Sequence, residues 1–345
     1  MAGRIHIYGV GAVGLLIAHS LRRLASPPPV SLLLRNNLAV DRFKGEFRSQ
    51  VAIEREHQVS YASGFDVGSL HDTADTERID KLVLAVKTPG LTDLQVLARR
   101  LDRDSTVLLV QNGLGVLEAV QSYFSASTRP SLVLGVNSHG VLRHNYFRAE
   151  HTGLGTLRLG AVPREGGPAA GVAELVRTLE QCQALAAVDV GYDAVVLAQM
   201  EKVVVNACIN PLTAIYDVRN GALVGNVGMA GVVRAVVAES VAVLRALYAT
   251  QFPGRDLAAF DAVIEPGRLT GVVYDVATAT AANSSSMRVD VRAGRTTEIE
   301  AINGFLVRTG RALGVRARTN ALLAHMVAAR LEIERAAAAA ALPDE

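Results

Sequence analysis

Tryptophan is absent, aromatic residues make up only 5% of the chain, and cysteine occurs just twice. Cys182 and Cys208 are too few for a disulfide framework and too far apart in sequence for a metal knuckle, so both are expected to be small buried hydrophobes. The eight histidines show no metal-ligand spacing beside a carboxylate, and no metal site is expected. An excess of charge of one sign is also lacking. The 35 Lys and Arg against 33 Asp and Glu leave a net +2, which gives no electrostatic footprint for nucleic acid or an anionic membrane. No apolar run approaches the roughly 20 residues of a bilayer span. The first strand pattern begins at Arg4 or Ile5, leaving no room for a cleaved signal, and a cytoplasmic protein is expected.

Half of the 345 residues are hydrophobic, more than one core usually organises, so two domains are expected. The most informative stretch is Ile5-His-Ile-Tyr-Gly9-Val-Gly11-Ala-Val-Gly14, where an apolar run opens into G-x-G-x-x-G and then into a helical pattern from Leu15 to Leu24. That context turns three glycines from an ordinary turn into a dinucleotide fingerprint, with Gly9, Val10, Gly11, Ala12, Val13 and Gly14 as cofactor-binding residues. The cofactor's phosphates would sit on the free N–H groups and positive dipole end of the helix.

Short Val/Leu-rich runs alternating with helical patterns predict an α/β fold with a doubly wound parallel sheet. Candidate strands are 5–8, 31–34, 82–86, 107–110, 132–136 and 156–159, with a small hairpin within 45–65. Three strands run into polar or glycine-containing breaks: Lys87-Thr-Pro-Gly90, Gln111-Asn112-Gly113-Leu114-Gly115 and Asn137-Ser-His139-Gly140. Such breaks beyond the carboxyl ends of strands line ligand crevices, although loops are polar in any case. Lys87 and Asn112 are the favoured crevice residues, with His139 left open.

After Gly191 the texture turns to Ala/Val/Leu-rich helices. One is expected from an N-cap at Asp193 to about Ile209, ended by Pro211, and others over 226–250, 256–264, 268–281, 297–314 and 318–339. Lys202, Asn206 and Asn210, spaced by four, form one slowly drifting stripe among Val203, Val204, Val205, Ala207, Cys208 and Ile209. Polar side chains in such surroundings need a partner, and a bound polar ligand is one. A second cluster is Asn283-Ser-Ser-Ser286-Met287, by composition a flexible connector, followed by Thr297-Glu298-Ile299 at the start of a helix.

Lys202-Val-Val-Val-Asn206-Ala-Cys-Ile-Asn210-Pro211-Leu-Thr-Ala, Ser285-Ser286-Met287 with Asp290, Arg292 and Thr297-Glu298-Ile299, and Gln111-Asn112-Gly113 together resemble a ketopantoate reductase (2-dehydropantoate 2-reductase), over nearly the whole chain. The resemblance implies an N-terminal NADP-binding Rossmann domain, 1–190. It also implies an all-helical substrate domain, 191–345, like the C-terminal domain of 6-phosphogluconate dehydrogenase; the alanine-rich end has no packing pattern of its own, and 338–345 is expected to be a disordered tail. It implies an active site in the cleft between the two and NADPH-dependent reduction of ketopantoate to D-pantoate, a step toward pantothenate and coenzyme A. By the same resemblance Lys202 is the general acid and Glu298 the acidic residue beside it. Asn206, Asn210 and Ser286 hold the substrate, Asn112 contacts cofactor and reaction centre, and Lys87 lies near the nicotinamide half.

NAD-dependent folds usually place Asp or Glu after the second strand, but here the strand runs into Arg35-Asn36-Asn37, which favours a 2'-phosphate and hence NADPH. Extra residues near Pro27-Pro28-Pro29 and in 45–80 bear on substrate choice. Another 2-keto acid or a bulkier ketone stays open, as does a non-catalytic NADPH sensor on the same fold. A β-hydroxyacid dehydrogenase ranks lower, since that group spaces lysine and asparagine differently. The sequence leaves monomer or homodimer open, with no nucleic-acid or membrane partner expected.

Overall fold

The computed structural model describes residues 3–72, 77–87 and 93–340. It divides into two compact units, the first formed by Met1–Gln111 with Val116–Val196 and the second by Asn112–Gly115 with Leu197–Glu345.

The first unit opens with β1 (Ile5–Tyr8), α1 (Ala12–Arg22), β2 (Val30–Leu34) and α2 (Asn37–Gly45). Next come β3 (Val51–Arg55), β4 (Gln58–Ala62), β5 (Phe65–Ser69), β6 (Lys81–Leu84), α3 (Leu94–Ala98) and β7 (Thr106–Leu109). It closes with α4 (Val116–Gln121), β8 (Ser131–Asn137), β9 (Gly140–Arg143), β10 (Arg148–Gly153), β11 (Leu157–Ala161), α5 (Ala170–Glu180) and β12 (Ala187–Asp189). Eight strands form one sheet in the order β12-β11-β8-β7-β6-β1-β2-β5. Every residue of β1, β2, β6, β7 and β8 is buried, which is why these strands read as mostly apolar runs with apolar residues on both faces. The sheet is parallel except where β11 meets β8, so the last expected strand runs against the others.

The expected hairpin forms as β3 and β4 and extends into a second sheet, β4-β3-β10-β9. This sheet packs on α1. Gly14 to Leu21 are all buried, because the helix that carries the glycine loop is covered by protein on more than its sheet-facing side. The break at 137–140 serves structure. His139 is buried, its Nε2 donates to the Leu185 carbonyl at 2.8 Å, and its Nδ1 accepts the Gly155 N–H at 3.0 Å. Residues 88–90 of another expected crevice loop lie outside the described residues.

The second unit is helical: α6 (Tyr192–Tyr216, from Leu197 onward), α7 (Val227–Gln251), α8 (Ala258–Val263), α9 (Pro266–Ala279), α10 (Ser286–Arg292), α11 (Asn303–Ala312) and α12 (Arg318–Ala340), with a 3-10 turn at Ile299–Ala301. Helix α7 packs against α9, α11 and α12. Four expectations need correction. α6 begins at Tyr192, so Asp193 lies in its first turn instead of capping it, and the helix runs through Pro211 to Tyr216. The serine cluster is no connector, since Ser285 caps α10 by accepting the Arg288 N–H at 3.1 Å. α12 extends to Ala340, into the segment expected to be disordered, while 341–345 lie outside the described residues. Finally, α6 and α7 are each long and apolar enough to cross a membrane, contrary to the reading from run length; the apolar window of α6 is 72% buried inside the protein, as in a core helix.

Candidate active site

The glycine loop has the geometry its spacing predicts. Gly9 has φ +102°, and a Cβ there would lie 2.3 Å from the Val86 nitrogen. A Cβ on Gly14 would lie 2.1 Å from the Gly9 carbonyl oxygen, so helix and turn approach as only glycine permits. At Gly11 the same test meets nothing within 4 Å, leaving clear space before the first turn of α1. Gly11 is also the N-cap, no side chain caps the helix, and its first turn holds no acidic residue. Val10, Ala12 and Val13 are half-buried beside this space. The loop therefore presents uncapped N–H groups and a positive dipole end to open space, as an anionic pyrophosphate requires.

Arg35, exposed one residue past β2, interacts with the Tyr8 phenol, whose hydroxyl also bonds Asp93. Asn36 is committed locally: it caps α2 by accepting the Ala39 N–H at 2.9 Å. Lys87 is exposed three residues past β6. Gln111, at the end of the unit's first segment, is nine-tenths buried, and among the described residues neither of its amide atoms is hydrogen-bonded. Buried amides are rarely left so, and a bound ligand is one means of satisfying it.

The second unit collects the polar stripe. On α6, Lys202 and Asn206 are half-buried and Asn210 is buried. Burial lowers the Lys202 amine from its ordinary 10.5 to about 8, and the negative charge of Glu298 opposes that fall. Glu298 is itself buried, at the start of the 3-10 turn, and accepts a hydrogen bond from the Asn112 amide at 3.2 Å. Asn112 can come so close because Gly113 follows it: a Cβ there would lie 2.5 Å from the Ala301 carbonyl oxygen. Lysine, carboxylate and amide thus meet from three stretches of chain. Near pH 7 the ammonium is a proton donor already partly stripped of water, held charged by a neighbouring carboxylate.

Of the two serines, Ser286 is exposed, whereas Ser285 is buried and accepts from the Thr213 hydroxyl at 2.7 Å, tying α10 to α6. Sequence reading gave Ser285, Thr213 and Gln111 no role of their own, although all three lie in the motifs it quoted. A serine three residues before the first paired N–H was the local sign of the cap, whereas Thr213 and Gln111 stood inside the quoted motifs with nothing in the sequence to single them out.

Residues 5–164 match the family described as ketopantoate reductase PanE/ApbA, and residues 194–331 match its C-terminal part. A probable 2-dehydropantoate 2-reductase of Schizosaccharomyces pombe is 31% identical over 349 residues, covering 97% of this chain and 98% of the relative. The 2-dehydropantoate 2-reductase of Archaeoglobus fulgidus is 30% identical over 332 residues, covering 94% and 96%. Among solved structures, a D-mandelate dehydrogenase with NADH and anilino(oxo)acetate superposes with TM-score 0.77 at 19% identity, covering 96% of this chain and all of that one. A probable 2-dehydropantoate 2-reductase from Bacillus subtilis gives 0.72 at 24%, covering 95% and all of that chain. A glycine-loop sheet unit followed by a helical unit with a half-buried lysine and a buried carboxylate is the build of a two-unit oxidoreductase. The chain belongs to the ketopantoate reductase family.

Proposed function

We propose that the protein reduces 2-dehydropantoate to D-pantoate with NADPH, in the cytoplasm. The observation that carries this reading is Lys202, its amine lowered to about 8 by burial and opposed by the buried Glu298, in a chain matching reductase relatives end to end. Gly9, Gly11 and Gly14 would hold a reduced nicotinamide dinucleotide, which when bound would supply the hydride. As negative charge develops on the ketone oxygen, the Lys202 ammonium stabilises it and transfers a proton from Nζ. Glu298 keeps the amine charged, and Asn112 fixes the carboxylate. Asn206, Asn210 and Ser286 hold the hydroxyl and carboxylate ends of the substrate, and Lys87 assists at the nicotinamide half.

Support for NADPH over NADH comes from the end of β2. No acidic residue stands there to take a ribose 2'-hydroxyl, and the exposed Arg35 suits a 2'-phosphate. Arg35→Ala should lower the ratio of kcat/KM for NADPH over NADH, and an unchanged ratio would reject that role.

NADPH oxidation followed at 2-dehydropantoate and at a panel of other 2-keto acids tests the activity itself. The expected result is turnover highest with 2-dehydropantoate and lowered at least about a hundredfold in Lys202→Ala, with cofactor affinity little changed. Cofactor binding without turnover on any member of the panel would overturn the reading in favour of a sensor.

A further inference from the structure

Helix α6 carries the lysine-asparagine stripe through a proline, and proline has no N–H. The carbonyl of Ala207, four residues before Pro211, therefore receives no hydrogen bond from position 211. It receives one from elsewhere: the Asn303 side-chain amide donates to it at 3.1 Å. Ala207 and Asn303 are both fully buried, where a carbonyl without a partner is costly.

The orientation of Asn303 follows from a chain of donors and acceptors. Glu239 on α7 accepts from the Thr319 N–H and hydroxyl, each at 2.8 Å, and from the Asn320 N–H at 3.1 Å and its side-chain amide at 3.0 Å. Burial raises the Glu239 carboxyl, but these bonds outweigh it and hold the pKa below its ordinary value. A carboxylate only accepts, so Asn320 must turn Nδ2 toward it, which leaves Asn320 Oδ1 facing the other way. Asn303 Nδ2 donates to that oxygen at 3.0 Å and spends its second hydrogen on Ala207. Among the described residues Asn303 Oδ1 is left buried and without a partner, while both of its donor hydrogens are committed.

Asn303 begins α11 and lies five residues after Glu298, while Ala207 lies five residues after Lys202. We propose that Asn303 is a positioning residue: by completing the hydrogen-bond ladder of α6 at the gap left by Pro211, it fixes the Glu298 segment against the helix that carries Lys202. Glu239 and Asn320 set its direction. The inference rests on the reading of Lys202 and Glu298 as the acid and its carboxylate partner.

The test is a cycle of Asn303→Ala, Pro211→Ala and the double variant. An alanine at 211 restores the missing N–H, so the side-chain donor becomes redundant. Asn303→Ala alone should lower kcat between about tenfold and a hundredfold with KM little changed, as expected when catalytic groups are misplaced. It should also shift the Lys202 pKa, read directly by pH-dependent amine labelling and mass spectrometry of the full-length protein. In the Pro211→Ala background the same change should cost far less on both readouts. Equal losses in the two backgrounds, or a Lys202 pKa unmoved by Asn303→Ala, would overturn the proposal. If Asn303→Ala does not fold, the double variant decides: a folded one supports the proposal, an unfolded one refutes it. The labelling readout needs no turnover, so failure of the proposed activity shows separately, as a wild-type protein inert toward 2-dehydropantoate.

Discussion

Asn112 donates to Glu298 at 3.2 Å across 186 positions of sequence. The bond joins the loop after β7 to the turn before α11, and it leaves the carboxylate able to act on Lys202 through its charge.

That relationship sets a pH dependence. If Lys202 is the general acid, as proposed, it would donate its proton in the charged form, and its pKa is lowered to about 8, so kcat/KM for ketone reduction should be level below about pH 8 and decline above it. Glu298→Gln removes the charge that holds the amine up, so the alkaline limb should move to lower pH. A limb at the same pH in the variant would show that the carboxylate does not govern the lysine.

Two glycines three residues apart should fail in different ways. Gly14→Ala forces a Cβ against a backbone oxygen that cannot withdraw, and should cost about 1–3 kcal/mol of stability or more. Gly11→Ala meets no neighbour, so its melting temperature should match wild type, while NADPH affinity falls about tenfold or more, ~1.4 kcal/mol. Thermal denaturation alongside cofactor titration separates them. A Gly11→Ala protein with wild-type affinity would show that the space does not receive the phosphates.

The adjacent serines divide along the same line. Ser285→Ala loses the cap of α10 and the acceptor for Thr213, and should destabilise by about 0.5–2 kcal/mol in urea. Ser286→Ala, exposed and outside that network, should stay within about 0.5 kcal/mol of wild type while raising KM for the keto acid. Unchanged KM would remove Ser286 from the substrate site.

Local signals carried most of the fold. Strand β1 ends where its pattern says because Gly9 breaks a wholly buried run, and the glycine loop needs only its own spacing to be recognised. β5, with Asp66 and Gly68 inside it, and β10, Arg-Ala-Glu-His-Thr-Gly, lack apolar runs; β5 takes its form from β2 and β10 in part from β3, strands distant in sequence. Pro211 misled for a related reason. Its usual effect is to end a helix, and the donor that lets α6 continue, Asn303, stands 96 positions after the Ala207 carbonyl it satisfies. The candidate site was legible as a set of residue types, since Lys202, Asn206 and Asn210 share a helix face, but the pairing of Asn112 with Glu298 belongs to tertiary structure.

Eight successive buried residues, Gly14 to Leu21, pack α1 against protein along most of its length. The amide groups at its leading end are held in register before any nucleotide arrives, so capture of the diphosphate requires little ordering of the protein. The small sheet of β3, β4, β9 and β10, far along the chain from the fingerprint, thereby acts as a brace for it. Loosening that brace should weaken nucleotide capture without altering one atom of the loop.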